Sequence, residues 1–422
     1  MARSLLTKYQ KSLRDRGSVV VGGGVVKNFR DWALVVSGVG LVAPSGAIAQ
    51  EARKLDFGLH AQAEHNSNVA RTNDMVADAR GLTRADTLYT PSASIDLFLP
   101  VGRRSVFLRG VAGYTFYDKN TKLNRERLDV AGGINSPFGP CQAGMTAGYS
   151  RGVNQVDDPT LVDDVENIQS VRRVGGTLNC SGPVGVGVVA SITKDWTRNS
   201  LEFLRSADAE RTSYMLGASY TRPAFGTVTL FGSYDDTVYP RRFLGDGYEM
   251  KSVGATFERQ LGARIQGSVT VAYAAVEQRG PAAAGFNSDT HTNSYAADLS
   301  YRVSDRLRLT ATLDRSISPA SGVGRAYDVV DAYRLSGDYD LGSRITVSAG
   351  VSRVDREAVG ILSTSSLQLT DSVTKSFMLA VRYKQSERLS FVVNAGREDR
   401  STNSPTFDYT NDRIGISADL EF

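Results

Sequence analysis

Beyond residue 50 the chain alternates apolar and polar positions with a period of two. Leu307, Leu309, Ala311 and Leu313 fall on one parity, Arg308, Thr310, Thr312 and Asp314 on the other. Tyr295, Ala297, Leu299 and Tyr301 oppose Asp298, Ser300 and Arg302 in the same way, and Tyr333, Leu335, Gly337 and Tyr339 oppose Arg334, Ser336, Asp338 and Asp340. Phe377, Leu379, Val381 and Tyr383 oppose Arg382 and Lys384. The chain ends on the same pattern, with Ile414, Ile416, Ala418, Leu420 and Phe422 against Arg413, Gly415, Ser417, Asp419 and Glu421. A period of two puts alternate side chains on opposite faces of a strand. No amphipathic stretch of period 3.6 stands out, and after Gln50 no apolar run is long enough for a membrane-spanning helix.

Short turns separate these stretches, among them Pro100-Val101-Gly102, Pro137-Phe138-Gly139-Pro140, Ser181-Gly182-Pro183, Leu261-Gly262-Ala263 and Ser304-Asp305-Arg306. Gly, Pro, Ser and Asp are what tight hairpins need. Longer polar segments alternate with them, at 66–86, 152–168, 201–209, 278–290 and 357–371. Short turns on one side and long loops on the other predict a transmembrane antiparallel up-and-down β-barrel of the bacterial outer membrane. The count is about 18 strands (roughly 16–20), each of roughly ten to fourteen residues, with both termini on the periplasmic side. The final strand is predicted to close the barrel against the one starting near Leu55. Phe422 is its aromatic last residue, the kind of ending that barrel-assembly machinery reads.

Turning Arg or Lys toward lipid costs about 2–4 kcal/mol near the midplane, so these penalties fix the register. The lumen-facing candidates are therefore Asp96, Arg109, Asp298, Arg302, Arg308, Asp314, Arg334, Asp338, Arg382, Lys384, Arg413, Asp419 and Glu421. Tyr114, Tyr220, Tyr273, Tyr301, Tyr339 and Tyr383 sit toward strand ends, where aromatic girdles belong.

The first 49 residues read differently. Seven basic residues, Arg3 to Arg30, precede an apolar run from Trp32 and a small-residue site, Ala47-Ile48-Ala49. This pattern predicts a cleavable signal peptide over 1–49 and a single barrel domain over 50–422. The leader holds a net charge of +5 and the whole chain +4, which leaves the remainder close to neutral. A basic surface for nucleic acid is thus not implied. The two cysteines, Cys141 and Cys180, fall at the short-turn ends of neighbouring strands and are predicted to form a disulfide.

No residue set predicts a catalytic, cofactor or metal centre. His60 and His65 lie five apart, hence on opposite faces, and with His291 read as surface or girdle residues. Asp157, Asp158, Asp163, Asp164 and Glu166 read as solvated loop acids. Mixed inward charges with Ser and Thr suit a polar path through the barrel. The expected surroundings are outer-membrane lipid and lipopolysaccharide.

Residues 55–117, with "DFGLHAQAEHNSNVARTN" and then "DTLYTPSASIDLFLPVGRRSVFLRGVAGYTFY", resemble the opening of the β-barrel porin 2 family, including EpsL-like barrels associated with exopolysaccharide systems. Asn66, Asn68 and Arg71 look like that family's polar element, with Asn66 where Asp is more usual. The resemblance implies a pore taking part in exopolysaccharide export, with polysaccharide and periplasmic export components as partners. The residues themselves also admit a general diffusion porin for small polar solutes, and an outer-membrane enzyme or adhesin acting through its loops.

Overall fold

The computed structural model describes residues 53–153, 167–242, 246–279, 289–319, 326–359 and 370–422. The expected leader and the acids at 157, 158, 163, 164 and 166 lie outside the described residues.

Eighteen strands form one closed antiparallel sheet, a transmembrane-type β-barrel. In chain order they are β1 (Lys54–Asn66), β2 (Asp86–Val101), β3 (Arg104–Tyr117), β4 (Arg125–Phe138), β5 (Cys141–Val153) and β6 (Ile168–Asn179). There follow β7 (Gly185–Asn199), β8 (Ala209–Arg222), β9 (Gly226–Val238), β10 (Gly247–Leu261), β11 (Ile265–Arg279) and β12 (Asp289–Arg302). The last are β13 (Leu307–Pro319), β14 (Tyr327–Asp340), β15 (Ile345–Val359), β16 (Asp371–Lys384), β17 (Leu389–Thr402) and β18 (Tyr409–Glu421). Each strand pairs with its sequence neighbours, and β18 closes on β1 from Gly58↔Glu421 to Asn66↔Arg413. At that seam Phe422 donates its backbone N–H to the Phe57 carbonyl at 2.8 Å, and the two rings lie 6.1 Å apart.

Closure gives every strand a partner on each side over most of its length. The tight turns use left-handed glycines where a side chain would be strained, as at Gly102 (φ 61°) and Gly139 (φ 59°).

Burial sorts the two parities. Leu335 and Val253 are 52% and 66% exposed, while the buried polar residues Asp195, Arg211, Asp235 and Asp314 belong to the opposite face. The apolar parity points out and the polar parity into the lumen. Tyr220, Tyr301, Tyr339 and Tyr383 ring the outside near the short turns, and Tyr114, Tyr214, Tyr273 and Tyr295 form a second ring nearer the long loops. Two aromatic rings around an apolar band match a bilayer with its two interfaces.

The strands run to 16 residues in β2, longer than the expected ten to fourteen. At and above the second ring they carry outward-facing ion pairs, such as Arg151–Glu126 at 2.6 Å, Lys251–Glu277 at 3.0 Å and Arg315–Asp331 at 2.8 Å. The extra length thus lies outside the apolar band, where charge has no desolvation cost to meet.

Cys141, first residue of β5, is bonded to Cys180, just past the end of β6 (Cα–Cα 4.0 Å). The bond closes a loop across a sequence separation of 39, which corresponds to roughly 3–4 kcal/mol of denatured-state entropy. Replacing both cysteines by serine should lower stability by about 2–4 kcal/mol without altering the barrel, as read by denaturant midpoints of the oxidised protein and the variant.

Candidate functional site

The lumen face is built strand by strand from the inward parity, and all thirteen charged candidates lie on that face. Near the short turns they gather in three places. Asp96 accepts from Lys54 Nζ at 3.1 Å and from Arg109 Nε at 3.3 Å, linking β1, β2 and β3. Arg302 stands opposite Arg308, and Arg308 opposite Asp338, which also accepts from Ser348 Oγ at 2.6 Å. Arg382 donates to Ser390 Oγ at 3.3 Å and lies 3.8 Å from Asp419 Oδ2, while Lys384 pairs with Glu387 at 3.0 Å.

Farther up, Asp314 is buried and accepts from Ser316 Oγ at 3.0 Å. Arg413 lies 3.9 Å from Glu398, itself held by the Tyr409 hydroxyl at 2.7 Å. Arg334 and Asp298 face Thr312 from either side, so the register spaces them along the wall instead of pairing them. Glu421 ends β18 opposite Gly58.

His60 corrects the reading of the histidines as surface or girdle groups. It faces the lumen, and its Nδ1 lies 2.5 Å from Asp419 Oδ1. Asp419 stands between His60 and Ser390, whereas a nucleophile–base pair would need the histidine on the serine. His65 points outward to Thr87 Oγ1 at 3.1 Å, and His291 stacks on Tyr273 at 5.6 Å in the aromatic ring.

A ladder on β6 to β9 was not singled out from the sequence. Arg173 Nε donates to Asp195 Oδ1 at 2.5 Å. Arg211 donates to Asp235 Oδ1 through Nη2 at 2.7 Å and Nε at 3.1 Å, and Ser213 Oγ donates to the same oxygen. The parity of each strand carries the signal, since Arg173, Asp195, Arg211 and Asp235 all fall on inward positions.

Two assemblies narrow the lumen toward the long loops. The first is the β1–β2 segment, with helix α1 (Asp74–Ala79) capped by Asn73, whose Oδ1 accepts from the Val76 N–H at 3.0 Å. Val69, Ala70, Ala77 and Leu82 pack with Leu123 against Tyr117, an inward residue of β3. Asp86 anchors the segment, accepting from the N–H groups of Thr87, Lys119 and Asn120 and from Asn120 Nδ2 at 2.7–3.0 Å. Asn68, of the family-like polar element, ties it to β18 by donating its backbone N–H to Asn411 Oδ1 at 2.9 Å.

The second is an apolar cluster of Tyr239, Tyr248, Ala274, Val276, Ile317, Tyr327 and Val329. Tyr248 on β10 and Tyr327 on β14 have ring centroids 5.5 Å apart, although three strands separate them in the wall. The Tyr239 hydroxyl donates to the Ala326 carbonyl at 2.7 Å, and Arg242 stacks on the Tyr239 ring at 3.7 Å. Beside them in the β9–β10 loop, burial pushes the Asp246 carboxyl up and the Arg242 charge partly offsets that shift.

An inward guanidinium favours anions in a water-filled lumen. Arg382→Ala should therefore shift the reversal potential toward cation selectivity in a salt gradient, and Arg308→Ala in the same direction. An unchanged potential in both would mean that ions do not pass these residues.

No protein-family model matches the chain. No curated protein sequence matches it either. Among solved structures, OccK2 (OpdF) of Pseudomonas aeruginosa is 14% identical, covering 88% of this chain and 98% of that one with a TM-score of 0.47. A BenF-like porin from Pseudomonas fluorescens Pf-5 is 15% identical, covering 88% and 99% with a TM-score of 0.47. OccAB3 of Acinetobacter baumannii is 12% identical, covering 88% and 99% with a TM-score of 0.44.

Proposed function

We propose that the protein is an outer-membrane channel for small polar solutes. The observation that carries this reading is the lumen wall itself. Both signs of charge, with serine and threonine hydroxyls between them, line it from the Asp96–Arg109 pair to the Arg382–Asp419 group. Barrels of about 16–18 strands enclose more space than side chains fill, so such a wall meets water. Mixed charge passes polar neutral and weakly charged solutes without a strong preference for one sign.

The export of exopolysaccharide, implied by the resemblance of residues 55–117, has less behind it. An extended polymer needs a wide path along the whole axis, and both the β1–β2 segment and the tyrosine cluster reduce the width near the long loops. In this reading the short turns face the periplasm and the long loops the outside, as in barrels of this kind.

Swelling of proteoliposomes separates the two roles. The channel reading expects rapid swelling in isosmotic monosaccharide and amino acid, slowing steeply with oligosaccharide length. Equal rates for monosaccharide and long oligosaccharide would favour a polymer path, and no swelling in any solute would reject a pore.

A further inference from the structure

Near the long loops the barrel wall is interrupted between β12 and β13. The β12–β13 ladder stops at Tyr295↔Arg315. Yet β12 continues to pair with β11 as far as Asp289↔Glu277, and β13 with β14 as far as Pro319↔Tyr327. Residues 290–294 of β12 and 316–319 of β13 therefore have no partner strand on the side where they would face each other.

The reason is that the upper parts of β13 and β14 lean into the lumen. Ile317, Tyr327 and Val329 belong to the outward parity of their strands, opposite the face that carries Asp314 and Arg334. They are nonetheless 6%, 1% and 7% exposed, packed against Tyr248, Ala274 and Val276 from the inner face of β10 and β11. An outward side chain meets an inner wall only if its strand overlaps that wall from within. β15 keeps its ladder with β14 to Tyr327↔Val359 and leans with it, Val359 packing on the same cluster. A clasp marks where the lean begins: the Tyr295 hydroxyl donates to Asp331 Oδ1 at 3.1 Å and Arg315 Nη1 to Asp331 Oδ2 at 2.8 Å.

We propose that these upper arms of β13 and β14 are the gate of the channel, pivoting on the Tyr295–Asp331–Arg315 clasp between the lumen and the gap beside β12; this rests on the channel reading above. Two arrangements compete for the same residues. Inward, the arms bury Ile317, Tyr327 and Val329 and narrow the path. Outward, they extend the β12–β13 ladder in its existing register, placing Ile317 opposite Asn293 and Ser318 opposite Thr292, and they vacate the lumen. Unpaired strand edges in register are a ready acceptor for this second arrangement, and a shift between two packed states is how small changes at a site become an open or closed path.

The test is a full-length Thr292→Cys/Ser318→Cys variant in planar bilayers, with wild type treated in parallel as the control for Cys141–Cys180. Ladder neighbours lie within disulfide reach, so a bond should form only when the arms occupy the gap. Oxidation is expected to join the two introduced cysteines by peptide mass analysis, and the oxidised channel to conduct at least about twofold more than the same protein reduced. Tyr248→Ala, which removes the inner contact without a crosslink, should raise conductance in the same direction. The gate is overturned if no such bond forms, or if bonded and reduced channels conduct alike while current flows. Absence of current in wild type and variant alike would instead overturn the channel reading.

Discussion

Asp235→Ala is expected to lower the stability of the barrel by roughly 3–5 kcal/mol, the cost of leaving a buried partner charge unpaired. The side chains of Arg211 and Asp235 are 7% and 5% exposed, and one carboxylate oxygen takes two guanidinium contacts and the Ser213 hydroxyl. With the carboxylate gone, Arg211 keeps its charge, because a guanidinium does not release its proton in this range. The nearest compensation is Asp195, opposite Arg211 in the β7–β8 register and already held by Arg173. Asp235→Asn keeps the shape and an acceptor oxygen, so it should lose less. Trp196, outward on β7 beside Lys194, reports the unfolding by fluorescence in vesicles. A loss under about 1 kcal/mol for the alanine variant would mean that Arg211 is solvated, not buried.

Leu335→Arg should cost about 2–4 kcal/mol, whereas Ser336→Arg, one residue away, should cost far less. Leu335 lies on the outer face of β14 between Tyr333 and Tyr339, hence near the middle of the apolar band, and is 52% exposed to what surrounds it. Ser336 faces the lumen between Thr310 and Gly350. A guanidinium at 335 must leave water or snorkel past a ring of tyrosines, while at 336 it joins a wall that already holds Arg308 and Arg334. Urea titration of both variants in bilayers checks the contrast; equal losses would contradict the assignment of faces.

The wall was legible because its physics is local. Leu307 to Asp314 must alternate to keep lipid and water on separate faces, and the tight turns declare themselves through glycine, proline and serine. Parity alone therefore places Arg302, Arg308 and Asp338 on one face before any contact is known. What was not legible depends on closure and on where ladders end. His60 meets Asp419 only because β18 pairs with β1, so partners 359 positions apart touch and a histidine that read as a surface group lines the lumen. Ile317, Tyr327 and Val329 carry the same alternation as lipid-facing residues, and nothing in their own sequence says that the β12–β13 ladder stops at Tyr295. Asp86 looks like an ordinary loop acid until Asn120, from a different loop, supplies its donors.

In the proposed channel the polar parity lines a water-filled path and the apolar parity does not. Single-channel current through Ser300→Cys and Leu299→Cys barrels, before and after a charged methanethiosulfonate reagent, tests it directly. Ser300 faces the lumen opposite Thr310, and Leu299 faces outward opposite Ala311. The expected result is a stepwise fall in current for Ser300→Cys and none for Leu299→Cys. No current in either barrel, or the same response from both, would contradict the account.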